Sequence, residues 1–194
     1  MVKILSISLL LFSSILAETF AKDKTIIDQL SKKYSGVSSY YTAFEGADNY
    51  KGDIYFQAPD YYRISEKDDT TIVKDSIAYK IDPSIRQVII SKASQNIYLY
   101  SPIGLVETLK SKFNFKSYNE STKEYQFTAL DKYDAIKSIS VKINNAFFPE
   151  YIIVYTNDDN VLKYTFKNQI ANKIFNKNIF EYKKHKDFEE FDIR

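Results

Sequence analysis

The sequence contains no cysteine and a single histidine, and these two scarcities exclude most of the common catalytic and metal-binding chemistries. Without cysteine there is no disulfide, no thiol nucleophile and no cysteine-ligated zinc. The one histidine, His185, stands among lysines in YKKHKD near the end of the chain, where a solvated role is expected. The sequence therefore lacks nearly all of the residues that a serine–histidine hydrolase or a histidine-rich metal site requires.

Glycine and proline are also scarce, with four of each. The glycines form no phosphate-binding or dinucleotide-binding motif, and so few breakers argue against long linkers. Carboxylates are plentiful, but no pair is marked as an acid and a base, and the stretches DDTT and NDDN lack the spacing of a calcium loop. We therefore predict a protein that is not an enzyme and that holds no metal and no cofactor.

Neither sign of charge is in excess. The formal net charge is +2, and the first segment of the chain contains one of the 27 basic residues, which leaves 26 against 25 acidic residues. A chain so balanced lacks the basic surface that nucleic acid requires, so we predict no nucleic-acid partner. Its 194 residues are enough for one domain with a substantial core.

The N-terminal stretch MVKILSISLLLFSSILAETFA is typical of a secretory signal peptide. Lys3 provides the positive start, and the apolar run of about thirteen residues is shorter than the roughly 20 that a spanning helix needs. Ala17 is the predicted cleavage residue, and Ala21 is the alternative. We expect a leader over residues 1–17 and one exported domain over residues 18–194. An uncleaved membrane anchor is the competing interpretation.

Two segments show the apolar period of an amphipathic helix. The first, KDKTIIDQLSKKYSG, has Asp23 as a predicted cap and Gly36 at its predicted end. The second, SPIGLVETLKSKF, has Ser101 as a cap and Pro102 at the first helical position. The apolar face of the first segment consists of Ile26, Ile27, Leu30 and Tyr34. That of the second consists of Leu105, Val106, Leu109 and Phe113.

Most of the remaining chain alternates apolar and polar residues with the period of two that indicates β-strands. The stretch KGDIYFQAPDYYRIS predicts two strands that are separated at Pro59, and DDTTIVKD with SIAYKID predicts a hairpin. Later examples are KSISVKIN and VLKYTFKNQ. We count about ten or eleven strands, and an antiparallel sheet of this size has to curl or split.

Aromatic residues are abundant, with 17 tyrosines, 14 phenylalanines and no tryptophan. If the sheet curls without closing, its concave face becomes a wide apolar surface that suits a flexible guest such as an acyl chain. Alternation along successive strands assigns to this face Phe44, Ile54, Phe56, Tyr79, Ile81, Val141, Tyr164 and Phe166, with Ile26, Ile27 and Leu30 of the first helix against it. On composition alone, the interpretation that these aromatics fill an ordinary core is favoured.

Several short motifs follow one another along the chain: FEG (44–46), GDIYF (52–56), PDYYRI (59–64), DSIAYKIDP (75–83), RQV (86–88), FKNQ (166–169) and FEY (180–182). In this order they resemble the LolA family, the periplasmic carriers of outer-membrane lipoproteins. The resemblance extends over residues 38–182. The chain departs from the family pattern where Gly46 replaces a usual glutamine, where Ile64 and Tyr79 replace frequent tryptophans, where Ser76 replaces a turn glycine, and in the tail KKHKDFEEF.

The resemblance implies a mainly antiparallel β fold with α: a half-open, incomplete β-barrel of about eleven strands, with two or three helices that form a lid over an apolar cavity. It also implies a periplasmic chaperone that takes an acylated lipoprotein from an inner-membrane ABC transporter to an outer-membrane acceptor without covalent chemistry. We expect it to act as a monomer. A lid that competes with the guest for the same apolar surface could both shield acyl chains and release them.

Arg63 is one of only three arginines in a chain whose other basic residues are lysines. By the resemblance, it corresponds to a family arginine on a strand under the lid. A guanidinium has five donors in a fixed fork, and the carbonyls at a helix C-terminus lack internal partners, so Arg63 is predicted to latch the lid in the empty state. A surface arginine whose stem lies along Tyr61 or Tyr62 is the alternative.

Two other functions stay open on the sequence. The same cavity could hold a free lipid or a glycolipid in the periplasm without a lipoprotein cargo. A structural protein of the cell envelope could instead have a filled core and bind no guest.

Overall fold

The computed structural model describes residues 26–47, 50–93, 101–131 and 135–194. The predicted leader, both candidate cleavage residues and the predicted cap Asp23 lie outside the described residues. Within the described ranges a sheet of twelve strands dominates the fold, and two α-helices accompany it. No helix in these ranges has the length and apolar character that crossing a membrane would require.

Helix α1 covers residues 26–34 of the described chain, α2 covers Pro102–Lys112, and a 3₁₀ turn covers Lys177–Phe180. The strands are β1 (Ser39–Glu45), β2 (Lys51–Gln57), β3 (Tyr61–Glu66), β4 (Thr70–Lys74), β5 (Ile77–Asp82), β6 (Gln87–Lys92), β7 (Phe113–Asn119), β8 (Glu124–Ala129), β9 (Ile136–Ile143), β10 (Pro149–Thr156), β11 (Val161–Ala171) and β12 (Glu189–Asp192).

The strands follow the order β12-β6-β5-β4-β3-β2-β1-β11-β10-β9-β8-β7. Two meanders, β1–β6 and β7–β11, join where β1 pairs with β11, and every neighbouring pair is antiparallel except β12, which runs parallel to β6. Strands β7 and β12 form the two edges, so the sheet is open. The predicted fold class, an incomplete antiparallel barrel with helices, is confirmed, with one strand more than expected.

One cluster of side chains shows that the sheet curls. Leu105 and Leu109 of α2 share this cluster with residues of β1 to β3 and of β7 to β11. Eight adjacent strands of a flat sheet would span about 34 Å, whereas a helix with its side chains is about 10–12 Å wide. The sheet must therefore wrap around α2. We call the face that meets the helices the concave face and the opposite one the convex face.

Helix α2 begins as its sequence predicts. The Gly104 amide donates to the Ser101 hydroxyl oxygen at 3.0 Å, which makes Ser101 the N-cap, and Pro102 is the first helical residue. Lys110 and Lys112 lie in the last turn, where positive charge suits the helix dipole. The helix ends at the start of β7, whose first residue, Phe113, keeps its buried position.

A two-residue turn without glycine connects β4 and β5. Asp75 and Ser76 both have positive φ, 52° and 62° respectively, as a tight hairpin of the I′ type requires. The predicted hairpin is therefore confirmed. A glycine would adopt this conformation with little strain, whereas serine does so at a cost.

The strand register decides which residues share a face, because directly paired residues of an antiparallel sheet point the same way. Phe56 pairs with Tyr62, and both are buried on the concave face. Arg63 pairs with Ile72, and Ile72 pairs with Tyr79. This second row alternates with the first, so it lies on the convex face.

The assignment of Tyr79 and Ile81 to the concave face is therefore wrong. Strand β5 presents the small side chain of Ala78 to the concave face, where it is buried. Ile81 pairs with Val88, which is fully buried although it lies on the convex side. The physical reason is that the convex face of β4 to β6 also buries side chains, among them Ile72 and Val88, so an apolar row does not identify the concave side.

Candidate functional site

The other six strand residues predicted for the concave face do lie on it. Five are buried, and Tyr164 is partly buried against the same cluster. Their contact with a lipid stays a prediction. The six residues are Phe44, Ile54, Phe56, Val141, Tyr164 and Phe166.

The Phe44 ring occupies space that is free only because the residue opposite it is a glycine. Gly52 is its direct partner on β2. A β-carbon at residue 52 would come within 2.7 Å of the Phe44 ring and within 2.4 Å of the Ser65 carbonyl oxygen. The aromatic ring takes the space that any side chain at residue 52 would need, which explains the glycine in the motif GDIYF.

The concave face also includes strand residues that the sequence analysis did not assign to it. Their signal was the same period-two alternation, so a fuller use of the pattern would have found them. They bury side chains on β3, β4, β9 and β10, and together they make the apolar face continuous across the sheet. They include Tyr62, Ile64, Val73, Ile139 and Ile152.

Both helices lie on this face. Ile26 and Leu30 of α1 are buried in a cluster with residues of β1 to β5, while Leu105 and Leu109 of α2 belong to the neighbouring cluster. Ile27 is partly buried and packs against both clusters. The helices thus occupy the apolar face with their own side chains, which is the arrangement that a lid needs. Their displacement by a guest stays a prediction.

The apolar face is less covered near the β12 edge. Ile89 of β6 pairs with Phe191 of β12, and the register places both on the concave side. They are 39% and 40% exposed, respectively, in contrast to the buried residues under the helices. Lys80 pairs directly with Ile89 and separates it from the covered centre, so Ile89 and Phe191 form an exposed apolar pair at this edge.

The end of α1 is joined to the turn between β9 and β10. The buried Tyr34 hydroxyl donates to the carbonyl oxygen of Phe147, and its ring stacks on Phe148 with centroids 5.9 Å apart. Phe148 also contacts Tyr40 of β1 at 5.7 Å, and the Tyr40 hydroxyl donates to Gln169 Oε1 at 2.6 Å. Burial raises the pKa of both tyrosines well above the ordinary value, so both hydroxyls remain donors at neutral pH.

The turn that offers this carbonyl is held by its own hydrogen bonds. Asn144 Oδ1 accepts from the amides of Ala146 and Phe148 at 2.9 and 3.0 Å. Phe147 has a φ of 64°, so its backbone is in the left-handed region. The acceptor of Tyr34 therefore has a defined position before α1 docks on it.

Ser31, one turn earlier on α1, has the opposite effect on docking from Tyr34. In the described part of the chain, its hydroxyl oxygen is a buried side-chain atom without a hydrogen-bond partner. A buried hydroxyl that loses its water without gaining a partner destabilises the state that buries it. The docked position of α1 therefore includes one favourable and one unfavourable polar contribution.

Arg63 lies on the convex face, away from α1 and α2, so the prediction that it latches the lid is wrong. Its Nε donates to Ser65 Oγ at 2.9 Å, and its Nη1 donates to the carbonyl oxygen of Ile179 at 3.2 Å. Ile179 belongs to the 3₁₀ turn, so the arginine does bind a helical carbonyl, but in a different segment. The cause is strand parity: Tyr62 and Ile64 point to the concave face, and Arg63 must point the other way.

We call residues 172–192, which cover the convex face at this place, the C-terminal strap. Phe180 is buried, and its ring lies 6.2 Å from that of Tyr61. Tyr182 stacks on Tyr79 with centroids 4.7 Å apart. The strap ends in β12, which pairs with β6. These contacts explain why the apolar row of β5 faces outward.

Ionisable side chains lie at one rim of the concave face. Glu66 pairs with Gly52, and burial together with the nearby Asp69 carboxylate raises its pKa to about 7. Asp69 also forms an ion pair with Lys80, with Nζ and Oδ2 3.1 Å apart. Across the described ranges, no group of three or more acidic or histidine side chains could hold a metal ion.

The concave face offers apolar contact area rather than reactive groups. The buried clusters on this face consist of isoleucine, leucine, valine, phenylalanine and tyrosine, with one alanine. Such a lining binds a guest by removing apolar surface from water, a force without strong directional demands. It therefore tolerates guests of variable conformation.

No protein-family model matches the sequence, and no curated protein matches it significantly. The fold does have a solved counterpart: an uncharacterized conserved protein from Thermus thermophilus is similar, with a TM-score of 0.57 and 9% sequence identity. The match covers 87% of this chain and 98% of that one. At this identity the likeness establishes the fold alone.

Two further solved structures have lower scores. One is a putative outer membrane lipoprotein-sorting protein domain from Vibrio parahaemolyticus, with a TM-score of 0.48, 9% identity and coverage of 82% of this chain and 96% of that one. The other is a LolA superfamily protein from Nitrosomonas europaea, with a TM-score of 0.45, 10% identity and coverage of 82% and 97%. Both describe a similar course of the chain and nothing more.

Proposed function

We propose that this protein is a periplasmic chaperone that binds the acyl chains of lipoproteins on its concave face. It would receive them from an inner-membrane ABC transporter and deliver them to an outer-membrane acceptor, without covalent chemistry. The proposal is supported by the motifs that resemble the LolA family over residues 38–182 and by the predicted leader. The observation that carries it is the continuous apolar face of an open sheet, covered by helices.

Helices can leave such a face without unfolding the sheet. The ladder of twelve strands contains no residue of α1, so displacement of α1 breaks no strand pairing. A core closed by a second sheet could not open in this way. The concave face can therefore be covered in the empty protein and become available to a guest.

The magnitudes favour exchange of the helix for a guest. An acyl chain with about 15 methylenes gains about 12 kcal/mol when it leaves water, at about 0.8 kcal/mol per methylene. Re-exposing the side chains of Ile26, Leu30 and Tyr34 costs about 4.5–9 kcal/mol in total, and loss of the Tyr34 hydrogen bond adds about 0.5–1.5 kcal/mol. The transfer free energy of a single acyl chain thus exceeds the cost of displacing α1. When the guest leaves, the returning helix offsets part of the cost of release.

A single introduced thiol can test this exchange, because the chain has no cysteine of its own. S31C is nearly isosteric and places its sulfur where the buried, unpartnered hydroxyl lies on α1. S140C, on β9, is the control, because Ser140 is buried and belongs to the sheet rather than to α1. Each variant is labelled with a water-soluble maleimide, alone and with a synthetic triacylated lipopeptide.

We expect the triacylated lipopeptide to accelerate labelling of S31C at least about tenfold, as for a site moved from a mostly closed to a mostly open state. The same peptide without acyl chains should have no effect, and S140C should stay slow throughout. Binding of the lipopeptide without faster labelling of S31C would contradict displacement of α1. Absence of binding would contradict the proposed function itself.

The cargo can be identified from the protein purified out of the periplasm. Mass spectrometry of bound material should find acylated peptides. A free lipid or a glycolipid in their place would contradict the lipoprotein cargo and favour the alternative guest. N-terminal sequencing of the same sample should begin after Ala17 or Ala21, and a sequence beginning at Met1 would contradict the predicted leader.

A further inference from the structure

We propose that Tyr34 is the latch that holds α1 on the concave face, and that the unpartnered Ser31 hydroxyl opposes it. Together the two residues set how often α1 opens. The inference rests on the proposed function only in treating α1 as a lid, because the opening itself needs no guest. It assigns to Tyr34 the role that the sequence resemblance assigned to Arg63.

The geometry of Tyr34 suits a latch. Its side chain extends from the end of α1 to a different part of the sheet, where the hydroxyl donates to the Phe147 carbonyl and the ring stacks on Phe148. Because Tyr34 is only 2% exposed, water cannot take over this hydrogen bond while the helix is docked. Loss of the donor leaves a buried carbonyl unpaired in the closed state, whereas the open state can hydrate it.

The acceptor side is prepared for this contact. The turn that contains Phe147 is closed by Asn144, which accepts two backbone hydrogen bonds, and neither of these bonds involves α1. Tyr34 therefore meets a fixed acceptor, so little conformational entropy is lost at the turn when the helix docks.

Ser31 acts in the opposite direction. Its hydroxyl is buried without a partner when α1 is docked, and it regains water when α1 lifts. An apolar side chain at this position would favour the closed state. The docked helix therefore combines an anchoring contact at its end with a destabilising one a turn earlier, which suits a lid that has to open.

Tyr40 provides a matched control. It also contacts Phe148, is equally buried and also donates its hydroxyl, but it belongs to β1 and its acceptor is Gln169. Tyr34→Phe and Tyr40→Phe each remove one buried hydroxyl from the same aromatic cluster. Only the first of them cuts a bond between α1 and the sheet.

The test is hydrogen exchange of the empty protein, followed by mass spectrometry of the peptides that contain α1 and β9. A helix in a folded protein owes most of its stability to packing of its apolar face, so the amides of α1 exchange when it lifts. Tyr34→Phe should accelerate exchange in α1 about 5- to 30-fold and leave β9 unchanged. Ser31→Ala should slow exchange in α1 about 3- to 10-fold, a gain that no folding defect can produce.

Tyr40→Phe should leave the ratio of the hydrogen-exchange rates of α1 and β9 as it is in the wild type. Equal acceleration of α1 and β9 in Tyr34→Phe, or no change in α1, would overturn the latch. Unchanged or faster exchange of α1 in Ser31→Ala would overturn the opposing role of the serine.

Affinity for the triacylated lipopeptide separates this inference from the proposed function. If α1 must open before binding, Tyr34→Phe should bind more tightly by the same factor by which its exchange accelerates. Faster exchange without any lipopeptide binding, in the variant and in the wild type, would leave the latch standing and refute the carrier function.

Discussion

Replacing Arg63 with leucine should loosen the C-terminal strap and leave α1 in place. The substitution removes two hydrogen bonds, of which only the one to the Ile179 carbonyl crosses to the strap. A bond from a charged donor contributes about 1.5–3 kcal/mol, and at 3.2 Å this one is at the long end of the usual range. We therefore expect a loss of about 1–2 kcal/mol in the free energy of local opening, or roughly 5- to 30-fold in the open population.

The strap should nevertheless stay bound in most molecules. The contact between Phe180 and Tyr61 and the pairing of β12 with β6 do not involve the guanidinium. Burial of a phenylalanine contributes about 1.5–3 kcal/mol, which is at least as much as the bond that is lost. The variant should therefore fold normally and differ from the wild type only in the frequency of opening.

A protease that cleaves only after lysine measures this opening, because the strap contains lysines and the loss of Arg63 changes none of its sites. When opening is fast relative to cleavage, the cleavage rate follows the open population. R63L should therefore be cut in the strap about 5- to 30-fold faster than the wild type. Ser65→Ala removes the other partner of the guanidinium but keeps the bond to the strap, so it should be cut nearly at the wild-type rate.

Two results would refute this reasoning. Faster hydrogen exchange in α1 with an unchanged strap would mean that Arg63 does act on the lid, as the sequence resemblance had suggested. If neither the cleavage rate of the strap nor the hydrogen exchange of α1 changed, the hydrogen bond at 3.2 Å would contribute nothing measurable.

Three smaller substitutions test other parts of the structure by denaturant unfolding. Ser76→Gly should stabilise by about 0.5–1 kcal/mol, because glycine adopts the left-handed turn conformation with less strain. Gly52→Ala should destabilise by about 1–3 kcal/mol or more, because its β-carbon would lie 2.4 Å from the Ser65 carbonyl oxygen. Glu66 has a folded-state pKa of about 7, raised by burial and a nearby carboxylate, so the folded state binds more protons than the unfolded one between the ordinary value and 7. Stability should fall as pH rises through this window, and Glu66→Gln should flatten the decline; an equally steep decline in the variant would assign it to other groups.

The sequence was informative wherever one face of a strand met the core. Alternation placed Phe44, Ile54 and Phe56 on the same face, and the register of β1 and β2 agrees with it. The N-cap at Ser101 was also predicted correctly, because capping depends on only a few neighbouring residues. Local signals of this kind need no knowledge of distant segments.

The misplacement of Tyr79, Ile81 and Arg63 has a common cause. A period of two separates the faces of a strand but does not say which face is concave. The strap supplies a second apolar environment on the convex side, where Tyr182 stacks on Tyr79. Tyr182 lies more than a hundred positions after Tyr79 in the chain, and no local pattern in β3 or β5 indicates that the strap will return there.

The two faces of the sheet are covered by different kinds of contact, and this difference bears on which cover opens. The strap is held by aromatic contacts, by the Arg63 hydrogen bond and by backbone pairing of β12 with β6, in which the Glu189 and Ile193 amides donate to carbonyls of the β6 region at 2.9 Å. Within residues 26–34, α1 has no backbone pairing with the sheet, and its polar contacts with other segments include the Tyr34 hydrogen bond and the Lys33 ammonium over the Phe148 ring, while the Ser31 hydroxyl is unpaired. Since local opening begins where the fewest interactions must break, α1 should exchange before the strap does. An acyl guest would then meet the concave face first, although both faces of β5 carry apolar side chains.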